Sequence, residues 1–150
     1  MHVYIDADAC PVKAEVYKVA LRHGVGVTVV ANSHMAVARE PWLRLVVVSG
    51  TPDAADDWIV EHARPGDVVV TADVPLASRC VKAGASVLAP TGRQFTEDSV
   101  GMALATRNLM DHLRSTGEVT GGPRPFTARD RSEFLGALDR VIVRTKRRAT

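Results

Sequence analysis

Hydrophobic and polar positions alternate between two periods along most of this chain. Val3-Tyr4-Ile5 is a short apolar run that ends in Asp6, which predicts a strand over 2–6. Val12, Val16, Val19 and Ala20 recur at helical spacing behind Pro11, a residue suited to a first helical turn, and His23-Gly24 closes that helix. Val25–Ala31 is a β-branched run and predicts a buried strand that ends in Asn32-Ser33-His34. The stretch from Met35 to Leu43 has neither period, and Pro41 breaks any long helix there. Leu45–Val48 predicts a third strand. Thr51-Pro52 predicts an N-cap and first turn for a helix over about 52–64. Asp67–Ala72 predicts a fourth strand, Pro75 to Gly84 a helix, and Ala85–Ala89 a fifth strand.

Strands that alternate with helices imply a parallel sheet with helices packed on it. The remainder reads as two helices, roughly 97–116 behind Thr96 and 128–143 behind Thr127, with a Gly-Pro loop at Gly121–Phe126 between them. Thr127 and Asp130 have the spacing of a capping box, with Asp where Glu or Gln is usual. The expected architecture is a single α/β domain over 1–143, a mostly parallel sheet of about five strands with two C-terminal helices, and then a basic tail over 144–150.

Composition narrows the function classes. The chain has 150 residues, 46% hydrophobic and 24% charged, and a formal charge of +2. That balance permits a nucleic-acid partner without requiring one. Aromatics are only 5%, which argues against a stacking platform for unpaired bases. Two cysteines suit reduced thiols in a cytoplasmic protein. No apolar run is long enough to span a membrane, and a membrane partner is not expected.

Acids fall at strand ends. In a parallel sheet all strand C-termini lie on one edge. Asp6 and Asp8 come after the first strand, Asp73 after the fourth, and Asp53, Asp56 and Asp57 stand in the first turns of the helix after the third. Carboxylates on short stems at one edge suit a hard cation such as Mg²⁺, which takes one or two carboxylates together with water and phosphate. The other reading is a set of helix-capping and solvated turn acids. Lys13, Asn32, Ser33, Arg79, Arg124 and Arg131 are the substrate-side candidates. Lys13 reaches a phosphate or is solvated. Asn32 and Ser33 orient a ligand or cap the next segment of chain. Arg79 lies on the helix behind Asp73, where a surface role is favoured. Asp130 and Arg131 tether the Gly-Pro loop or cap the last helix. Cys10 beside Asp8 reads as a small buried residue, since no activating His is near. The basic run Arg144–Arg148 is a solvated tail or a phosphate-contacting arm.

Four stretches together resemble the YaiI/YqxD family of bacterial proteins: Asp6–Lys13, Ala54–Ile59, Thr71–Ala77, and Gly121–Phe126 with Asp130, Arg131 and Phe134. At fold level that family is similar to PIN-type nucleases, whose sheet-edge acids bind Mg²⁺ or Mn²⁺ and cleave RNA. The resemblance implies Asp6, Asp56 and Asp73 as catalytic metal ligands, with Asp8 as a fourth or outer ligand, and RNA or another single-stranded nucleic acid as partner. Two other classes stay open: a haloacid-dehalogenase-like phosphatase with Asp6 as nucleophile, and a non-catalytic module that binds nucleic acid or protein.

Overall fold

The computed structural model describes residues 1–51, 53–115 and 125–149. Six strands, β1 (His2–Asp6), β2 (Gly26–Ala31), β3 (Leu43–Val47), β4 (Val68–Val70), β5 (Ser86–Leu88) and β6 (Gln94–Phe95), form one sheet in the order β3-β2-β1-β4-β5-β6. The first five are parallel, and β6 folds back antiparallel on β5. A two-residue strand carries too little pattern to be seen in the sequence, which explains why five were expected.

Alternation along the strands divides the core into two layers. Val3, Ile5, Val27, Val29, Val68 and Val70 pack under α1 (Lys13–His23) and α5 (Ala128–Ala149) with Val16, Val19, Phe134, Leu138 and Ile142. Val30, Val69 and Val87 face the other way, against α2 (Ala54–His62), α3 (Val74–Lys82) and α4 (Glu97–Ser115) through Ile59, Leu76, Cys80 and Val100. Asp6 shares the second face, because it lies two residues beyond Tyr4 and opposite Val30.

Helix ends obey local chemistry. Gly24, at φ +64°, donates its N–H to the Ala20 and Leu21 carbonyls and stops α1. Thr96 and Ser99 cap α4 reciprocally, and Thr127 and Asp130 do the same for α5 at 3.0 and 3.2 Å. The expected cap on α2 is corrected: that helix begins at Ala54, whose N–H bonds the Thr51 carbonyl, and Asp53 precedes it. The last helix does not stop at 143. It continues to Ala149, because Lys and Arg are good helix formers and favour the negative end of the dipole.

The chain between β2 and β3 crosses from strand to parallel strand without a helix. α1 and α5 lie side by side and run in the same direction. Arg131 near the start of α5 meets Pro11 and Glu15, and Asp139 further on meets Arg22 and His23 at the end of α1.

Candidate acidic site at the strand C-terminal edge

β1 and β4 are neighbours at the centre of the sheet, so their ends deliver Asp6 and Asp73 side by side. Asp6 is buried, at 7% exposure, and its Oδ2 accepts a hydrogen bond from the Thr71 hydroxyl at 2.8 Å. The same hydroxyl oxygen accepts from the Asp73 N–H at 3.0 Å. Asp73 Oδ1 in turn accepts from the Leu76 N–H at 3.0 Å, which caps α3. Thr71 is wholly buried and is the residue that sequence reading passed over as a site component. Its signal was a lone hydroxyl at the end of a valine run, two residues before Asp73.

Asp56 enters from the first turn of α2. Burial, then the charges of Asp73, Asp6 and Asp53, push its carboxyl up to about 6, and Arg79 relieves part of this. Burial also raises Asp6, opposed by the Thr71 hydrogen bond and reinforced by Asp8 and Asp73. Three carboxylates from three separate elements therefore feel one another's charge. Asp56 makes no hydrogen bond or ion pair among the described residues.

Asp8 stands apart from these three. It lies on the 3-10 turn Ala7–Ala9, is exposed, and accepts from Asn32 Nδ2 at 2.8 Å. Asn32 thus orients an acid of the edge, while Ser33 beside it is exposed. Lys13 turns inward to its own turn: Nζ donates to the carbonyls of Ala7 at 3.1 Å and Cys10 at 2.9 Å. Arg79 pairs with Asp57 at 2.9 Å on the surface. Cys10 and Cys80 are buried thiols, and burial raises both, Cys80 to about 12. Arg124 lies outside the described residues. The basic run Arg144–Arg148 belongs to the far end of α5, where Lys146 Nζ donates to the His23 carbonyl. That is one length of α1 from the acids, about 16 Å at the usual helical rise. Among the described residues, no three His, Cys, Asp or Glu side chains converge closely enough to hold a metal ion in common.

A family model described as "Uncharacterized BCR, YaiI/YqxD family" matches residues 4–144. The chain belongs to the YaiI/YqxD family. A UPF0178 protein of Bradyrhizobium diazoefficiens is 63% identical over 146 residues, which cover 97% of this chain and 87% of that one. A UPF0178 protein of Brucella ovis is 64% identical over 146 residues, 97% of this chain and 91% of its own. No solved structure is matched significantly.

Three of the four stretches that carry the YaiI/YqxD resemblance meet at the acidic edge, as β1 with its turn, the start of α2, and the end of β4 with the start of α3. The fourth is tied to the first by Arg131. Its Nη1 donates to the Pro11 carbonyl at 2.6 Å and to Glu15 Oε1 at 3.3 Å, and its guanidinium lies 5.0 Å from the Phe126 ring centre. Of the two roles expected here, Asp130 takes the cap of α5, Arg131 ties the start of α5 to Pro11 and Glu15, and residues 121–124 of the Gly-Pro loop lie outside the described residues.

Proposed function

We propose that this chain is a divalent-cation-dependent nuclease that hydrolyses phosphodiester bonds of RNA at the edge formed by Asp6, Asp56 and Asp73. The observation that carries the reading is electrostatic. Burial first, and then the charges of Asp73 and Asp6, raise Asp56, and Arg79, paired with Asp57, relieves only part of this while Lys13 is turned to backbone carbonyls. Carboxylates compensated only in part by Arg79 favour a cation.

The donor set fits a hard ion, since every candidate ligand is a carboxylate oxygen. A closed cage is not required for Mg²⁺ or Mn²⁺, which commonly take one or two carboxylates and complete their shell with water and substrate phosphate. A bound ion would supply charge neutralisation at the scissile phosphate and a more acidic water. The protein's part is positional. Thr71 holds Asp6, the α3 cap holds Asp73, and Asn32 holds Asp8 at the rim. RNA as substrate rests on the likeness to PIN-type nucleases.

The test is cleavage of single-stranded RNA and DNA with Mn²⁺, alongside a thermal melt with and without the ion. Asp6→Asn and Asp73→Asn should each lower cleavage by about 100-fold or more. Both should also abolish the rise in melting temperature that Mn²⁺ gives the unmodified protein. Cleavage that survives both substitutions would sink the reading.

A further inference from the structure

The charge of this molecule is strongly divided. Five of the nine residues from Arg140 to Arg148 are basic and none is acidic, so that stretch carries +5. The whole chain carries +2, which leaves −3 on everything else. Because α1 and α5 run in the same direction, the basic stretch sits at the end of the sheet opposite Asp6 and Asp73.

Helix-terminal stabilisation explains only part of this. The dipole acts within the last turn, whereas Arg140 and Arg144 stand before it. Arg140, Arg144, Arg147 and Arg148 instead share one side of α5 at helical spacing. With Asp139 and Val143 they line a shallow depression of about 530 Å³. Asp139 is already bonded to His23 at 2.7 Å and Arg22 at 3.3 Å. From Arg140 to Arg148 the helix rises about 12 Å, and phosphates recur every 3.4 Å or so along one strand of a duplex, so three or four fall within its length.

We infer that this face of α5 docks the phosphodiester backbone of a nucleic-acid duplex, away from the acidic edge and independently of any cation there. Guanidinium groups match phosphate oxygens two at a time. Among the described residues that line the depression there is no aromatic ring on which an unpaired base could stack. A membrane surface fits poorly, because Phe134, Leu138 and Ile142 of α5 are fully buried in the core and Leu135 is packed partly buried against it. A protein partner would need an apolar anchor at the centre, and among the described residues the depression offers only Val143.

The experiment is fluorescence anisotropy with labelled RNA and DNA duplexes of two helical turns, in EDTA, across a salt series. With three to four phosphates neutralised, affinity should fall roughly 40- to 150-fold between about 50 and about 200 mM salt. Substituting Arg144, Arg147 and Arg148 together by Ala should flatten that dependence to a slope near that of one contact, and the same three replaced by Lys should restore most of it. If the alanine variant does not fold, Arg140→Glu with Arg148→Glu replaces it and should weaken binding at every salt concentration. No binding in EDTA, binding unchanged by these substitutions, or binding to anionic phosphatidylglycerol vesicles in place of duplexes would each overturn the inference. Since no divalent ion is present, the outcome is separate from that of the cleavage assay.

Discussion

The Thr71 hydroxyl donates to Asp6 Oδ2 at 2.8 Å while accepting from the Asp73 N–H at 3.0 Å, so one buried oxygen sets the positions of two acids on adjacent strands. Thr71→Val keeps the shape and removes the hydroxyl. The loss leaves a buried carboxylate and a backbone N–H without this partner, at a cost of about 1–3 kcal/mol. Asp6 should titrate still higher, because the Thr71 hydrogen bond is what opposes its rise. Urea unfolding and carboxyl NMR titration measure the two effects. A valine variant as stable as the parent would contradict this assignment, and Thr71→Ser should largely preserve both properties.

Asp56 gives a pH signature whose sign is set by linkage. Its folded value, about 6, lies above the ordinary 3.8, so the native state holds the proton more tightly than the unfolded chain. The contribution to stability is fully present below the ordinary value and is lost as pH rises through about 6. Asn cannot titrate, so Asp56→Asn should gain on the parent across that interval and hold a constant advantage above it. Solvent screening of this half-buried group limits the gain to about 1 kcal/mol. Denaturant midpoints of both proteins at a series of pH values decide the matter, and parallel curves would count against the crowding of the three acids.

Arg131 and Glu15 should be coupled. Glu15 Oε2 is buried without a hydrogen-bond partner among the described residues, and its Oε1 lies 3.3 Å from the Arg131 guanidinium. Arg131→Ala should cost about 2 kcal/mol, partly through the charge stranded at Glu15. Adding Glu15→Gln should recover some of that loss. Strict additivity in the double-mutant cycle would show that Arg131 acts through the Pro11 carbonyl and not through Glu15.

Gly92 is required by geometry. Its φ is +90°, and a Cβ there would lie 2.9 Å from the Glu133 carbonyl carbon and oxygen and 3.0 Å from the Phe134 nitrogen. These are backbone atoms of α5 and cannot swing aside. Gly92→Ala should cost about 2 kcal/mol or more in chemical denaturation, through strained backbone and displaced helix.

The edge itself was legible because periodicity alone reveals parallel strands, and parallel strands gather their C-termini. Asp6, Asp56 and Asp73 could therefore be grouped from their positions in the chain. Directions of long side chains were not legible. Lys13 is one turn from the acids in sequence, yet its ammonium closes on Ala7 and Cys10, since two carbonyls of a tight turn lie within its reach. The placement of the basic run was hidden for a related reason. It depends on the direction in which α5 crosses α1, which contacts at Arg131, Asp139 and Lys146 decide and no local pattern encodes.

The order of the strands has a consequence in time. β1 and β4 are flanked on both sides, and they bear Asp6 and Thr71 at or just past their ends. Amide protons in such central strands exchange only when the whole molecule opens, whereas turns and edges open far more often. The Asp6–Thr71 hydrogen bond, at the ends of two central strands, should therefore open more rarely than the contact of Asp8 on its exposed turn.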